Sequence, residues 1–282
     1  MAKRIKINLM GGEEKIIELV GRLNADRVDF EIQRTGYTCK IIVPSENKDY
    51  FFSTSGGSKS FLFFSSKLKS EVKDQFYPDA RNGINYYNFG AVGNLLPEMY
   101  CVDLNSAYLQ SAFNEKMISE DCFTYGNKLS KNDRLKGFGS LATLKTIYSM
   151  TAGEVSNVKI VRSPTESVFF QTCKNVGKLL SEAVLIGDSF VFYWVDGIYV
   201  ANLKDAELIA DFFEAHHFPS KLEHLTDCKL SPNKTLLSYN KEGKRKIFTL
   251  PKKYSKLTDE KIIAFLTEND FGAETTIKNK IR

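Results

Sequence analysis

The sequence predicts a mixed α+β fold, because two kinds of apolar pattern alternate along it. Short runs with apolar residues at every second position are typical of strands, and stretches with apolar residues every three or four positions are typical of helices. Hydrophobic residues make up 43% of the 282 positions and charged residues 26%, which is ordinary for globular proteins and excludes a wholly disordered chain. The length fits one large domain or two small ones. No apolar run approaches the roughly 20 residues that a membrane-spanning helix needs.

We expect residues 1–90 to form an N-terminal α+β domain. Apolar residues at helical spacing predict a helix over Glu13–Leu23. The Ser- and Gly-rich segment Ser53–Ser60 lacks the phosphate-loop pattern and does not lead straight into a predicted helix. We therefore interpret it as a hairpin loop between strands Tyr50–Ser53 and Phe61–Phe64. The other expected elements are a strand at Ile5–Leu9, a hairpin of Arg27–Gln33 and Tyr37–Val43, a helix at Lys67–Phe76 and a connector over residues 78–95.

Residues 91–228 are expected to form a second domain. The capping box Ser163–Glu166, with Pro at the first helical position, predicts a long helix over residues 165–185. The very apolar stretch from Phe190 to Val200 predicts a hairpin, because the Asp-Gly pair at its centre is a strong turn signal. The other expected elements are a strand at Met99–Asp103, a helix at Ser106–Asn114, strands at Gly139–Ile147 and Val158–Val161, and a helix at Asp205–Ala215.

Residues 229–282 form a basic segment, with 13 Lys and Arg against 6 Asp and Glu, whereas the rest of the chain is close to neutral. Such a segment is typical of contact with a polyanion through phosphate neutralisation, and a solvated lysine-rich tail is the alternative. Within it we expect a hairpin of Leu236–Tyr239 and Lys246–Leu250 and a helix at Asp259–Leu266.

Cysteine and histidine usage indicates a reducing compartment. The five cysteines are far apart and form no C-x-x-C pair, which argues against a disulfide framework and against a cysteine zinc site. His216, His217, His224 and Cys228 fit no zinc template. The N-terminus is basic but lacks the long apolar stretch of a secretory signal, so we expect a cytoplasmic location.

Two aspartates stand where a carboxylate is unusual. Asp103 ends a predicted buried strand, and Asp196 sits at the tip of the apolar hairpin, where desolvation costs free energy unless the group is paired or binds a cation. On neighbouring strand ends, two such carboxylates can hold two divalent ions about 4 Å apart, which suits in-line attack of a hydroxyl on a phosphate. The expected ion is Mg²⁺. Each aspartate alone is also compatible with a plain turn residue or with an acid near a helix N-terminus.

The segment Asp103-Leu-Asn-Ser-Ala-Tyr108 resembles motif A of the family B DNA polymerases, and its Asp-x-Asn-Ser form is similar to that of phage and protein-primed members. Asp103, Ser106 and Tyr108 stand at the matching positions. The hairpin around Asp196 resembles motif C of the same family, with Asp196 on the second, metal-binding aspartate.

A third element of that family, K-x-Y, is similar to Lys246 and Phe248 on the last predicted hairpin. The resemblance covers about residues 95–255. It implies a ferredoxin- or RRM-like polymerase palm over residues 91–228 and a short basic thumb-like segment over residues 229–282.

The sequence also departs from the family pattern. Trp194 replaces the first aspartate of motif C, and Gly197 replaces its serine. Neither the fingers motif K-x-x-x-N-S-x-Y-G nor the exonuclease motif D-I-E occurs. Only two predicted strands and one long helix lie between Asp103 and Asp196, so the fingers look absent or reduced to the hairpin near Ala152.

The resemblance implies a role for each candidate residue. Asp103 and Asp196 would be the catalytic carboxylates that coordinate two Mg²⁺ or Mn²⁺ ions, with the Leu104 carbonyl completing one coordination shell. Ser106 and Tyr108 would lie under the nucleotide, with Tyr108 as a steric gate against a 2′-hydroxyl. The triphosphate needs cations, and nucleic-acid backbones are bound by basic side chains. The candidates for the triphosphate are Lys145, Lys159 and Arg162, and those for the nucleic acid are Lys244, Arg245, Lys246, Phe248, Lys252 and Lys253, a solvated surface residue being the alternative for the lysines.

Three functional hypotheses follow. The first is a template-dependent nucleotidyltransferase, a DNA polymerase or primase-polymerase of a phage or mobile element. Its partners would be DNA template and primer, nucleoside triphosphates and other replication proteins, such as a helicase, a single-strand-binding protein or a subunit supplying fingers, and no membrane. The second is a catalytically degenerate palm that acts as a nucleic-acid-binding replication initiator or accessory subunit. The third is an RNA-binding protein with a ferredoxin-like fold, because the same element order suits it.

Overall fold

The computed structural model describes residues 5–9, 13–36, 38–53, 59–90, 95–230, 236–249 and 276–278. It is a mixed α+β structure, which confirms the predicted fold class at that level. In chain order the elements are β1 (Ile5–Leu9), α1 (Glu13–Ala25), β2 (Phe30–Arg34), β3 (Thr38–Val43), β4 (Lys48–Ser53), α2 (Lys59–Val72), β5 (Tyr87–Phe89), β6 (Leu95–Leu104), α3 (Ala107–Asn114), α4 (Glu120–Asn127), α5 (Lys131–Gly139), a 3₁₀ turn (Ser140–Ala142), β7 (Leu144–Thr151), β8 (Glu154–Arg162), α6 (Glu166–Ala183), β9 (Phe190–Trp194), β10 (Gly197–Val200), α7 (Leu203–Ala215), β11 (Ser220–Leu230), β12 (Leu236–Lys241), β13 (Lys244–Thr249) and β14 (Thr276–Lys278).

The chain divides into two compact units, and each is discontinuous in sequence. The first unit contains residues 1–81 and 115–171, and the second contains residues 82–114 and 172–282. The predicted boundaries after residues 90 and 228 do not coincide with these units. Strand pairing explains the difference, because β5 pairs with β9, and β6 pairs with β10 and β11.

The first unit is built on a six-stranded sheet in the order β1-β4-β3-β2-β7-β8. β1 and β4 are parallel, and the other neighbouring strands are antiparallel. Helix α1 places Ile16, Leu19 and Leu23 in a shared core with the strand residues Ile41 and Phe52. The amphipathic pattern that predicted this helix therefore reflects one face packed on a sheet.

The prediction of a strand at Phe61–Phe64 is wrong, because these residues lie in helix α2. Phe61, Phe64, Leu68 and Val72 are buried, and this spacing of three and four residues is the helical period. One of our two reasons for excluding a phosphate loop, that no helix follows the segment, therefore does not hold, whereas the other, that the phosphate-loop sequence pattern does not occur there, is unaffected. Residues 54–58 of that segment lie outside the described residues.

Helices α4 and α5 were not predicted, and the strand expected from Gly139 begins instead at Leu144. Each helix begins after a serine whose hydroxyl accepts a hydrogen bond from the backbone three residues later. Ser119 accepts from the Cys122 N–H at 3.2 Å, and Ser130 accepts from the Asp133 N–H at 3.2 Å. More structure therefore separates Asp103 from Asp196 than the two strands and one helix that we expected.

The second unit is built on an eight-stranded sheet in the order β14-β13-β12-β11-β6-β10-β9-β5. Its centre has the order β11-β6-β10-β9, with antiparallel neighbours throughout. Along the chain α6 lies between β6 and β9, and α7 lies between β10 and β11. The centre thus follows a β-α-β-β-α-β order. Residues 115–171 of the other unit are inserted after α3 and include the first six residues of α6.

Both helices cover the same face of this central sheet. Val176 and Leu180 of α6 and Ile209 of α7 share a core with Val102 of β6 and Ile198 of β10. Because side chains alternate between faces along a strand, the neighbours Cys101, Asp103 and Gly197 belong to the opposite face. That opposite face carries the residues considered below.

Several other predictions are confirmed. The long helix appears as α6, and the hairpins appear as β9–β10 and β12–β13. The helix predicted at Asp259–Leu266 lies outside the described residues, as do Lys252 and Lys253. Over the part of the chain that the structure describes, no helix has the length and apolar character needed to cross a membrane.

Candidate functional site

The turn that carries Asp196 has a strained backbone. The Asp196 N–H donates to the Trp194 carbonyl oxygen at 2.7 Å, which closes a three-residue turn around Val195. Val195 has a φ of 56°, a region that a β-branched residue rarely adopts. Its own N–H donates to the Tyr86 carbonyl oxygen at 2.7 Å, so a segment before β5 holds the turn in place. Such strain persists only where surrounding contacts fix it, and it is common at functional sites.

The turn brings Asp196 to the end of β6 where Asp103 lies. The Leu104 N–H donates to the Asp196 carbonyl oxygen at 2.9 Å. Gly197 pairs directly with Asp103 in the antiparallel register of β10 and β6. The structure therefore brings Asp103, Leu104 and Asp196 together, as the sequence predicted for two neighbouring strand ends.

Gly197 leaves room for the Asp103 carboxylate. A Cβ atom on Gly197 would lie 3.3 Å from Asp103 Oδ1, which is tighter than most Cβ contacts, and 3.5 Å from Cys101 Sγ, which is an ordinary van der Waals distance. Gly197, which departs from the motif C pattern, is thus the residue next to the Asp103 carboxylate. Asp103 and Asp196 are both half-buried, so their charges are partly shielded from water.

Uncharged groups lie beneath this carboxylate. Burial raises the pKa of the Cys101 thiol well above its usual range, and the charge of Asp103 raises it further. Burial likewise raises the pKa of Tyr199, whose hydroxyl interacts with Cys101. Both groups are therefore neutral near pH 7, so neither adds a negative charge beside Asp103.

The junction between β6 and α3 positions the remaining motif A residues. Ser106 has a φ of 55°, and its carbonyl oxygen accepts from the Gln110 N–H at 2.9 Å in the first turn of α3. Burial raises the pKa of Tyr108 above its usual range, and the neighbouring Cys173 and Asp196 raise it further. Tyr108 therefore lies in the electrostatic field of Asp196, and its hydroxyl stays protonated.

The three triphosphate candidates belong to the first unit, whereas Asp103 and Asp196 belong to the second. Lys145 on β7 donates to Gln33 Oε1 at 3.2 Å. Arg162 lies 3.6 Å from a carboxylate oxygen of Glu166, one turn away at the start of α6. Lys159 is exposed on β8, the edge strand of its sheet.

The basic residues of β13 point to both faces of the sheet. Lys246 pairs with Tyr239, and Lys244, which is exposed, pairs with Lys241. Arg245, between them, points to the other face, where it donates to the Asp227 carbonyl oxygen at 2.9 Å and to Ser238 Oγ at 3.1 Å.

Those hydrogen bonds give Arg245 a structural role in the β11–β12–β13 ladder, whereas the lysines on either side belong to the face of Asp103. Phe248 also lies on β13, opposite Leu237.

Sequence reasoning missed Lys221. It lies on β11 directly opposite Asp103, so the two side chains share one face. Its proximity to Asp103 depends on the register between β6 and β11, which no local sequence pattern reveals.

The donor set at this site fits a hard divalent cation. Asp103 and Asp196 supply carboxylate oxygens, the ligands that Mg²⁺ prefers. Among the described residues, no group of three or more His, Cys, Asp or Glu side chains is placed to hold a metal ion. Magnesium commonly takes only one or two carboxylates from the protein and completes its shell with water and substrate phosphates.

Comparison of the sequence with models of known protein families finds no match, and comparison with curated proteins finds no significant one.

Proposed function

We propose that this chain is a template-dependent nucleotidyltransferase, a DNA polymerase or primase-polymerase with a reduced family B-like palm. The observation that supports it most is that the strand register and the Leu104–Asp196 backbone hydrogen bond bring Asp103 and Asp196 to adjoining strand ends, with Asp103 on the sheet face opposite α6 and α7. Two carboxylates in this arrangement suit two-metal phosphoryl transfer.

The topology of the second unit is consistent with the proposal. The strand order β11-β6-β10-β9 with two helices on one face is the ferredoxin-like arrangement that the resemblance implies for a palm. This fold hosts unrelated functions, so the argument depends on the aspartates and not on the fold alone.

Each residue of the site has a definite part in the proposed reaction, in which a chain-end hydroxyl attacks the α-phosphate of a nucleoside triphosphate and pyrophosphate leaves. Asp103 and Asp196 would hold Mg²⁺, which when bound neutralises phosphate charge and orients the attacking hydroxyl. The strained turn at Val195 fixes the Asp196 backbone before substrate arrives. Tyr108, which packs against the core of the second unit and lies in the electrostatic field of Asp196, would limit the space beside the nucleotide sugar.

The test is incorporation of labelled dNTPs and NTPs on single-stranded and primed DNA, with Mg²⁺ or Mn²⁺. Asp103→Asn and Asp196→Asn should each lower incorporation at least about 100-fold, since loss of a metal-binding carboxylate costs several kcal/mol of transition-state stabilisation. Asp211→Asn, on an exposed position of α7, makes the same change away from the site and should retain activity.

Near wild-type incorporation by either site variant would overturn the catalytic assignment. A wild-type protein that incorporates nothing but binds DNA in a salt-sensitive way, equally well in both site variants, would favour the degenerate palm. The replacement of one motif C aspartate by Trp194 is the observation that favours this second candidate.

A further inference from the structure

Three lysines lie on three consecutive strands of the face that carries Asp103. Lys221 on β11 pairs with Asp103, and Lys241 on β12 pairs with Lys244 on β13. Residues paired directly in an antiparallel sheet share a face, and Glu223 connects the first lysine to the second. A line of positive charge therefore begins beside the catalytic candidate and crosses the sheet.

Glu223 holds two of these lysines at once. Its Oε1 accepts from Lys221 Nζ at 2.9 Å and from Lys241 Nζ at 2.5 Å. The side chains of Glu223 and Lys241 are only 20% and 18% exposed, whereas that of Lys221 is 59% exposed. Lys241 and Glu223 thus form a half-buried support, and the ammonium group of Lys221 faces solvent above it.

Glu223 is ionised and Lys221 is protonated near neutral pH. Burial alone would raise the pKa of Glu223, but the hydrogen bonds from Lys241 and Lys221 outweigh it and lower the pKa. The hydrogen bond to Glu223 raises the pKa of Lys221. An ammonium group has three donors, and Glu223 accepts one of them, so Lys221 retains donors for an anionic ligand.

We propose that Lys221 binds a backbone phosphate of the nucleic-acid strand whose end lies at Asp103, and that Glu223 and Lys241 are positioning residues for its side chain. The identity of the strand end rests on the proposed function. A polynucleotide fits better than a compact triphosphate, because the lysines lie in a row. Asn240 pairs with Thr226, so Lys241 lies about four residues along β11 from Lys221, and the row crosses the sheet obliquely. At about 3.3 Å per residue and 4.8 Å per strand, its Cα positions span about 16 Å, which is about five stacked nucleotides.

The first test measures binding without catalysis. Fluorescence anisotropy with a labelled single-stranded oligonucleotide and a primed duplex, in EDTA, gives Kd over a range of salt concentrations. Lys221→Gln should raise Kd several-fold at low salt and lower the slope of log K against log salt by about 0.7–0.9, the value for one lost phosphate contact. Lys178→Gln is the matched control, since this exposed lysine lies on α6 and forms an ion pair with Glu182 at i,i+4.

Glu223→Gln separates positioning from net charge. If Glu223 acts only through its negative charge, its removal should tighten oligonucleotide binding. If Glu223 instead holds the Lys221 side chain in position, its removal should weaken oligonucleotide binding. We expect weaker binding. Lys221→Arg should keep most of the affinity, because the cation remains.

Equal Kd and equal salt slopes for Lys221→Gln and Lys178→Gln would overturn the proposal, and so would tighter binding by Glu223→Gln. If Lys221→Gln weakened the binding of nucleoside triphosphates but not of oligonucleotides, the assignment of the ligand as a polynucleotide would be overturned. These outcomes differ from failure of the proposed function, which would show as unchanged incorporation in Asp103→Asn while the Lys221 effect on binding persists.

Discussion

Asp103 and Gly197 face each other across β6 and β10, with Asp103 Oδ1 3.3 Å from where a Cβ atom on Gly197 would lie. A side chain at position 197 would therefore press on the carboxylate that we assign to metal binding. The position of the Asp103 carboxylate on β6 therefore depends on the absence of a side chain at Gly197 on β10.

Gly197→Ala should weaken metal-dependent activity while leaving the fold intact. The new methyl group displaces the Asp103 carboxylate by a few tenths of an ångström, and a metal site tolerates little displacement of its ligands. We expect the Mg²⁺ concentration for half-maximal incorporation to rise several-fold, with an unchanged circular dichroism spectrum. An unaltered Mg²⁺ dependence would contradict this account of the pair.

Val195→Asn should relieve strain in the turn that carries Asp196. Asn adopts positive φ far more readily than Val, and such strain costs about 1–3 kcal/mol. We expect a free energy of unfolding equal to or higher than that of the wild type, measured by chemical denaturation. Val158→Asn, at an exposed strand position, is the control and should be mildly destabilising because Asn is a poor strand former. The prediction fails if Val195→Asn is the less stable of the two.

Asp205→Asn should destabilise the second unit by roughly 1–3 kcal/mol at pH 7, the typical cost of disrupting a buried charged hydrogen-bond acceptor. One carboxylate oxygen of Asp205 accepts from the Ser189 hydroxyl at 2.6 Å, the Ser189 N–H at 2.9 Å and the Asp188 N–H at 3.1 Å. The hydrogen bond from Ser189 is the main cause that lowers the pKa of Asp205.

The effect of this substitution should depend on pH. Because the pKa is lower in the folded state, the stabilisation is fully present above the unfolded value of about 3.9 and is lost as pH falls through the folded value. Denaturation curves should therefore show wild type and Asp205→Asn converging toward pH 3. A constant difference between pH 7 and pH 3 would count against ionic hydrogen bonding. Asp211→Asn, at an exposed position of the same helix, is the matched control and should lower stability less than Asp205→Asn at pH 7.

Gly187→Ala should be strongly destabilising, by more than about 2 kcal/mol. Gly187 has a φ of 76°, and a Cβ atom there would overlap the carboxylate of Asp205. Gly243→Ala provides a matched control, because Gly243 has a similar φ of 73° but no atom within 4 Å of its Cβ position. The control should show only the conformational cost, about 1 kcal/mol. Equal thermal shifts in the two variants would show that the clash with Asp205 contributes nothing.

Local pattern was sufficient for much of the candidate site. The apolar run from Phe190 to Val200 predicts its hairpin because only one turn signal interrupts it. Asp103 lies one residue before the end of β6, close to where the sequence predicts the strand to end. The strand prediction at Phe61–Phe64 was wrong because a four-residue apolar stretch fits both a strand and a buried helix. Helix α5 is mostly polar, so only its serine cap signals it.

The rest depends on pairing between distant segments. Lys221 comes beside Asp103 through the register of β11 on β6, and nothing near either residue in sequence encodes that register. The two units were missed for the same reason, because residues 82–114 join strands that follow residue 190. The three-segment division of the chain rested on composition and on the family resemblance, and composition carries no information on strand partners.

The discontinuity of the two units limits how the protein can fold and how it can be divided. During synthesis β6 emerges well before β9, β10 and β11, so the central strand of the second sheet must wait for its neighbours while its edges remain unpaired. Closing so long a loop adds contacts between distant residues, which slows folding. No single cut can isolate either unit, because cleavage between residues 81 and 82 takes β7 and β8 from the first unit, and cleavage between residues 171 and 172 takes β5 and β6 from the second. The protein therefore has to be expressed and assayed as a whole chain.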